Sequence, residues 1–248
     1  MSADAPKTGV AGRLRHELRY RLDASTMLFP LQMRLRGHGA RLAGPKTALA
    51  IEGYPRSANT FAVAAFQYAQ PAPLELAHHT HSPANVVCAA RLGVPTLVLV
   101  RDPRAAVASL LVREPTLAAS TALDAYLAFY RPVLSVRRQV VVAAFEEIVR
   151  DFGKVIDRIN ARYGTGFARF ERSAESMAAV ERAVEEMERA DSGQEQLRET
   201  HVARPSRARA AAIAERRKAL TRRPLAPRLA RARSLHRLLV DDSARSAW

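Results

Sequence analysis

Short apolar segments that alternate with helix-forming segments constrain the fold of this chain most. Residues 47–52 and 96–100 are typical of buried strands, and each is followed by a polar loop and then by apolar residues at helical spacing. Further strands are expected at 74–79 and 139–144. Strands that alternate with helices form parallel sheets, and ligands bind at the carboxyl ends of these strands. The sequence therefore predicts a three-layer α/β fold with a central parallel sheet flanked by helices. The main helices are expected at 60–69, 83–92, 103–113, 121–137 and 173–190.

The loop after the first strand has the composition of a phosphate-binding loop. Residues 53–60 read Gly-Tyr-Pro-Arg-Ser-Ala-Asn-Thr. Backbone N–H groups at a helix start attract anions. The hydroxyls of Ser57 and Thr60 and the guanidinium of Arg56 add side-chain donors. The Walker pattern G-x-x-x-x-G-K-[ST] is matched only at its first and last positions, because Ala58 and Asn59 replace the second glycine and the lysine. A P-loop nucleotide kinase shares this order of strand, loop and helix and is kept as an alternative prediction. The missing lysine argues against it, because phosphoryl transfer with Mg²⁺ uses that side chain.

The second apolar segment ends in an arginine and leads directly into a helix. Arg101 follows residues 96–100, Asp102 is a favourable N-cap, and Pro103 is a favourable first helical residue. Ser109 lies two turns into this helix. The pattern predicts that Arg101 lies at the carboxyl end of a strand, close to the first loop.

Together the two segments resemble the PAPS-dependent sulfotransferase family and its P-loop-like fold. In that family a loop reads roughly Y-P-K/R-S-G-T/N-T, and a strand that ends in Arg precedes a helix with Ser eight residues after that Arg. Residues 54–60 match the first pattern except at Ala58, and Arg101 and Ser109 match the second. The resemblance implies that the chain transfers a sulfuryl group from PAPS, 3′-phosphoadenosine 5′-phosphosulfate. The implied acceptor is a hydroxyl, or as a second choice an amine, of a small molecule, lipid or glycan.

The resemblance also implies a role for individual residues. Arg101 and Ser109 would hold the 3′-phosphate, and Arg56 would also stabilise charge on the bridging oxygen as the nucleotide leaves. The 5′-phosphosulfate would be held by Arg56, Ser57, Ala58, Asn59 and Thr60. Residues 76–83 align by spacing with the family's K-T-H-L-P segment, so His81 falls on the position of the catalytic base. No metal is implied.

The cluster of histidines at 78–81 admits two other interpretations. The pair His79-x-His81 suggests a metal site, but the single cysteine and the lack of a further ligand at suitable spacing argue against zinc. An isolated histidine at a strand end is more often structural, and we keep that interpretation for His78 and His79. His81 is predicted to act as a base because an unperturbed imidazole titrates near neutrality.

Positive charge is concentrated at the two ends of the chain, which has a net charge of +15. Sulfotransferases close a late basic segment over the 3′-phosphate, often with the sequence R-K-G. This chain lacks R-K-G, so Arg204 or Arg207 is expected in its place, with a solvated helix face as the alternative. A non-catalytic protein that binds anions or nucleic acid is a further alternative. After Phe170 the only aromatic residue is Trp248, which argues against a platform for stacking bases.

The acceptor cleft is expected beneath residues 171–199 and the helices at 110–135. Tyr126, Phe129 and Tyr130 fit either the lining of this pocket or the core at helical spacing.

Length and composition favour a single domain in a reducing compartment. A chain of 248 residues with 48% hydrophobic content can bury a substantial core. We expect one domain over residues 1–248, with basic helical regions at 1–46 and 203–248. One cysteine allows no internal disulfide, which favours the cytoplasm, and no apolar run reaches 18 residues. The apolar patch beside arginines at 27–36 suits core packing or, alternatively, peripheral contact with a membrane.

Overall fold

The computed structural model describes residues 28–35, 37–193 and 207–245. Within these ranges four strands form one sheet, in the spatial order β2-β1-β3-β4, and every neighbouring pair is parallel. The strands are β1 (Leu49–Gly53), β2 (Leu76–His78), β3 (Thr96–Val100) and β4 (Val141–Ala144). The predicted three-layer α/β fold, with a central parallel sheet flanked by helices, is confirmed.

The α-helices in the described ranges follow the predicted order. They are α1 (Leu28–Leu35), α2 (Asn59–Ala69), α3 (Pro83–Arg91), α4 (Pro103–Arg113), α5 (Ala119–Val136), α6 (Phe145–Arg150), α7 (Phe152–Tyr163), α8 (Ala174–Ser192), α9 (Arg207–Leu220) and α10 (Ala226–Arg245). Helix α4 has the predicted bounds, and the Asp102 carboxylate accepts the backbone N–H of Ala105 as an N-cap. Pro103 occupies the first turn.

Three strands differ from their predicted bounds. The first strand, β1, was expected at 47–52 but begins at Leu49 and ends at Gly53, and two other strands are shorter than predicted. Residue 74 was expected in β2, but the amide of Gln67 bonds both the N–H and the C=O of Leu74 and keeps that residue out of the strand. At the other end β2 stops at His78, since His79 has a φ of 55°. Residue 139 was expected in β4, but it ends a short 3₁₀ helix, Arg137–Gln139.

The sheet is buried on both faces, and its side chains alternate between two cores. Leu97 and Leu99 of β3 pack with α2, α7 and α8, whereas Val98 and Val100 pack with α3, α4, α5 and α10. Successive side chains of a strand point to opposite faces, so a continuous apolar strand needs helices on both sides. This sandwich fixes the carboxyl ends of β1 and β3 side by side.

Buried tyrosines of α5 hold the ends of these two strands. The Tyr130 hydroxyl donates to the carbonyl oxygen of Leu99 at 2.6 Å and accepts the N–H of Tyr54 at 3.3 Å. The Tyr126 hydroxyl donates to the carbonyl oxygen of Arg101 at 2.9 Å. Both rings are fully buried, so Tyr126 and Tyr130 are core residues rather than pocket residues.

The approach of β1 to β3 requires a glycine where the first loop begins. A Cβ atom on Gly53 would lie 2.7 Å from the carbonyl oxygen of Leu99 and 2.9 Å from the Leu99 Cβ. Both distances are too short for a side chain. Gly53 therefore brings the first loop directly beside the end of β3.

Helix α1 carries the apolar patch predicted at 27–36. Phe29 is buried, whereas Leu31 and Leu35 are exposed. The face of α1 that carries Phe29 therefore packs in the core, as one of the two interpretations predicted, whereas the face with Leu31 and Leu35 does not. Among the described helices, none has both the length and the apolar character needed to cross a bilayer.

Candidate active site

A cavity of about 740 Å³ lies where the carboxyl ends of β1, β2 and β3 meet. Most of the residues that the sequence predicted for the site line this cavity: Arg56, Ala58, Asn59, Thr60, His81, Arg101 and Ser109. Ser57 is fully buried and does not line it. Arg204 lies outside the described residues, and helix α9 begins at Arg207, whose side chain is also outside the described part. The predicted roles of Arg204 and Arg207 stay predictions.

The first loop presents an uncapped helix start to the cavity. Arg56 and Ala58 have φ values of 68° and 75°, in the left-handed region that favours glycine. Ala58 is the N-cap of α2 and supplies no side-chain cap. Within the described ranges, no backbone carbonyl oxygen accepts a hydrogen bond from the N–H groups of 57–60. Free N–H groups at a helix start, together with the helix dipole, form a site for an anion.

Arg56, Arg101 and Ser109 form one connected unit in the cavity wall. The Arg56 side chain donates from Nε to the Ser109 hydroxyl at 3.2 Å, and Arg101 donates from Nη1 to the carbonyl oxygen of Arg56 at 2.8 Å. The Arg101 guanidinium also stacks on Phe145, with Cζ 3.9 Å from the ring centroid. The two predicted phosphate-binding segments are therefore in direct contact.

Further arginines surround this unit, and the sequence analysis did not identify them. Burial, followed by repulsion from Arg209, Arg113 and Arg101, lowers the pKa of Arg56 to about 9. Burial and the charge of Arg217 lower the pKa of Arg101 to about 10. Guanidinium groups stay protonated in proteins, so the lowered pKa values mean that these positive charges are buried close together, which costs free energy. A bound anion would offset this cost.

Only one of the additional arginines carried a usable sequence signal. Arg113 is four residues after Ser109 on α4 and therefore lies on the same helix face. Arg209 and Arg217 belong to α9, which packs against α4 over a long sequence separation. Local patterns do not encode such a contact.

His81 is held in one tautomer. Its Nδ1 lies 2.9 Å from the carbonyl oxygen of Gly53, which can only accept, so Nδ1 carries the proton. Nε2 has no hydrogen-bond partner within the described ranges, and the residue lines the cavity. Burial lowers the pKa of the imidazole, so the ring is neutral near pH 7. A neutral imidazole with a free Nε2 can accept a proton.

The neighbouring histidines have a different environment. His79 Nε2 lies 3.1 Å from the Thr60 hydroxyl, and His79 Nδ1 lies 2.6 Å from His78 Nδ1, so both nitrogens of His79 are engaged. Burial is the main cause that lowers the pKa of His79 to about 2 and that of His78 to about 4. In the part of the chain that the structure describes, no three His, Cys, Asp or Glu side chains are placed to bind a metal ion.

Helix α8 closes one side of the cavity with two ion pairs. Glu188 receives both Nη atoms of Arg113, at 2.9 and 3.1 Å, and Asp191 pairs with Arg41 at 2.5 Å. Met177 of the same helix also lines the cavity. The region predicted to cover the acceptor cleft, 171–199, thus contributes this wall as far as its described residues extend.

Comparisons with known proteins add little to this geometry. No protein-family model and no curated protein matches the sequence. Among solved structures, the chain is similar to mouse sulfotransferase SULT7A1 complexed with PAP, with a TM-score of 0.42 and 17% sequence identity, over 85% of this chain and 93% of that chain. A similarity of this degree carries no weight for function, so the assignment depends on the residues in the cavity.

Proposed function

We propose that this chain is a sulfotransferase that moves a sulfuryl group from PAPS to a hydroxyl acceptor. One observation carries the proposal: an uncapped helix start, the linked pair Arg56 and Arg101, and the free Nε2 of His81 all face one cavity. The first two features suit a nucleotide with two separate phosphate groups, and the third suits removal of a proton from a hydroxyl.

The residues of the first loop fit the 5′-phosphosulfate. The free backbone N–H groups of 57–60 would bind its oxygens, with the Thr60 hydroxyl and the Arg56 guanidinium as side-chain donors. Ser57 and Asn59 would contribute through their backbone, since Ser57 is buried and the Asn59 side-chain amide donates to the carbonyl oxygen of Tyr54 at 3.1 Å.

The 3′-phosphate fits the other side of the arginine cluster. Arg101 and Ser109 would hold it, and Nε of Arg101 is buried with no partner among the described residues. Helix α9 offers Arg209 and Arg217 as additional donors, and Nε of Arg217 is likewise buried with no partner there. These two arginines would supply the basic segment for which the sequence suggested Arg204 or Arg207.

His81 would act as the general base. The donor supplies a sulfuryl group whose sulfur bonds to the acceptor oxygen while its bond to the 5′-phosphate oxygen breaks, so that adenosine 3′,5′-bisphosphate (PAP) is released. The acceptor proton passes to Nε2 of His81, and the Nδ1–H bond to Gly53 keeps that nitrogen directed into the cavity. Arg56 would stabilise the charge that develops on the leaving oxygen.

The acceptor would lie against the wall formed by α1, α2 and α8. Met33, Phe61 and Met177 supply apolar contacts there. This lining suits a hydroxyl on a partly apolar molecule, with an amine as the second choice.

Titration of the purified chain with nucleotides tests the proposal. PAP should bind and raise the melting temperature, 5′-AMP should bind much more weakly, and PAPS with a panel of hydroxyl acceptors should yield sulfated product. Stabilisation by ATP with Mg²⁺ but not by PAP would support the nucleotide kinase instead. Binding of a short oligonucleotide that is lost with added salt, without PAP binding, would support a non-catalytic role.

A further inference from the structure

A buried carboxylate lies behind the proposed base. Glu52 is the fourth residue of β1 and is 0% exposed. Its Oε1 accepts hydrogen bonds from the N–H of Thr80 at 3.1 Å, the hydroxyl of Thr80 at 2.6 Å and the amide of Asn85 at 3.1 Å. Its Oε2 accepts the N–H of His81 at 3.1 Å. All four of its partners are donors, so a carboxylate fits this position and a group that must donate does not.

We propose that Glu52 is a positioning residue that fixes His81 with Nδ1–H on the carbonyl oxygen of Gly53 and Nε2 facing the cavity. Consecutive residues of β1 hold the histidine: Glu52 binds its backbone N–H, and Gly53 binds its ring. The importance of Glu52 for catalysis rests on the proposed function, whereas the effect of Glu52 on the His81 imidazole can be measured without any reaction.

The segment that carries His81 needs such support because its backbone is strained. His79 and His81 have φ values of 55° and 49°, a region that residues with side chains occupy only when the surroundings impose it. Within the described ranges, Thr80 is fixed by two hydrogen bonds to the same carboxylate oxygen of Glu52. The carboxylate therefore imposes the turn that directs His81.

Asn85 extends this support to the far side of the carboxylate. Its amide nitrogen also donates to the carbonyl oxygen of Arg41 at 3.2 Å, and its amide oxygen accepts the N–H of Ala43 at 2.9 Å. Glu52 is thereby enclosed between β1, the start of α3 and the 41–43 segment. Because Glu52 has no contact with solvent, a movement of its carboxylate oxygens would displace His81, which is bonded to Oε2.

Charge on Glu52 determines whether this arrangement holds. Burial raises the pKa of Glu52 to about 7, while the bonds from Thr80, Asn85 and His81 oppose the rise. The charged groups that face His81 are Arg113, Arg41 and Asp191, with the neutral rings of His78 and His79 beside it. A protonated Glu52 would direct an O–H toward donors, so acid should release the His81 segment near pH 7.

Glu52→Gln is the discriminating variant. Its amide oxygen can keep the bonds from Thr80 and Asn85, but its NH₂ group then faces the N–H of His81. We expect the affinity for PAP to stay within about twofold of wild type, KM for PAPS to be unchanged and kcat to fall about 10- to 100-fold, because the base is misplaced. The acid limb of the kcat profile near pH 7 should disappear. Thr80→Val removes the hydroxyl that donates to Oε1 and accepts the N–H of Ser82. It leaves the backbone N–H bonds of Thr80 and His81 to the carboxylate, so it should retain the wild-type tautomer.

The nitrogen-15 spectrum of the His81 ring gives a readout that needs neither donor nor acceptor. Wild type should show a proton on Nδ1 above pH 7, and Glu52→Gln should show a mixture of tautomers. A Glu52→Gln protein with wild-type kcat, or with the wild-type tautomer, would overturn the proposal. If circular dichroism shows that this variant does not fold, the wild-type protein provides the test. The nitrogen-15 signals of its His81 ring must then change with a midpoint near pH 7, the pKa of Glu52. If the wild-type protein does not bind PAP, the proposed function is wrong. The positioning of His81 by Glu52 can still be tested in that case, because the tautomer is measured without a nucleotide.

Discussion

The guanidinium of Arg101 donates from Nη1 to the backbone carbonyl oxygen of Arg56 at 2.8 Å. The first residue after β3 thus supports the loop after β1, at a position whose φ of 68° is unfavourable for an arginine. Stacking on Phe145 fixes the same guanidinium from the other side. The two segments that lie far apart in the sequence therefore form one connected unit, and a change at Arg101 should affect both segments.

Replacing Arg101 by alanine should separate its two contributions. Loss of the support to the Arg56 carbonyl should weaken PAP and 5′-AMP binding by the same factor. Loss of a charged donor to the 3′-phosphate should weaken PAP binding by about a further 10- to 100-fold, since hydrogen bonds to charged groups contribute about 1.5–3 kcal/mol. Isothermal titration with both nucleotides measures the difference.

Ser109→Ala is the matched control for this measurement. It removes a neutral donor at the same site, so a smaller loss, about two- to tenfold, is expected for PAP. Equal losses for PAP and 5′-AMP in Arg101→Ala would remove Arg101 from the 3′-phosphate site.

His81→Asn should separate catalysis from binding. An asparagine amide can still donate to the carbonyl oxygen of Gly53, but it offers no basic Nε2. We expect kcat for sulfuryl transfer to fall by about 10²- to 10⁴-fold, the usual contribution of a general base, with PAP affinity unchanged. His79→Asn is the comparison, because both nitrogens of His79 are already engaged. If His81→Asn turned over at the wild-type rate, the base would have to be another group.

Parts of the site that depend on local sequence were predictable. A strand followed by Arg101, Asp102 and Pro103 identifies a strand end and a helix cap from neighbouring residues alone, and both are present. The three-layer sheet followed from the alternation of strands and helices. The apolar strand β3 lies inside the sheet as its composition required.

The rest of the site depends on contacts between distant segments. Glu52 resembles an ordinary strand residue until Thr80, His81 and Asn85 surround it, 28 to 33 residues later in the chain. Arg217 reaches Arg101 only because α9 packs on α4. No periodicity within a window of 10–20 residues carries this information. The sequence therefore predicted where the loops after β1 and β3 lie, but not the charged side chains around them.

Ala58→Gly should stabilise the protein and tighten nucleotide binding. Ala58 has a φ of 75°, where a Cβ atom costs about 1–2 kcal/mol and glycine is not penalised. The greater freedom of glycine in the unfolded chain offsets about 0.4–1 kcal/mol of that gain. Chemical denaturation should therefore show a net increase of about 0.5–1 kcal/mol in the free energy of unfolding.

The control for this variant is Ala178→Gly, an exposed position within α8. There the same substitution should cost about 1 kcal/mol, the usual penalty of glycine inside a helix. A decrease in stability for both variants would show that the first loop does not hold residue 58 in the left-handed region.

Stability should fall as the pH drops below about 6.5, because of the buried histidines. The pKa of His79 is lowered to about 2 and that of His78 to about 4, and the pKa of His81 is also lowered, all mainly by burial. In the unfolded chain these rings titrate near 6.5, so below that pH the unfolded state binds protons that the folded state does not. Each ring then contributes a slope of at most about 1.4 kcal/mol per pH unit.

Glu52 acts in the opposite direction, since its raised pKa gives the folded state one extra proton between about pH 7 and pH 4.5. Three histidines outweigh one carboxyl group, so urea unfolding at pH 7.5, 6.5 and 5.5 should show a net loss of stability. His79→Gln should reduce the slope, and a wild-type stability that stays constant or rises below pH 6.5 would contradict the burial of these rings.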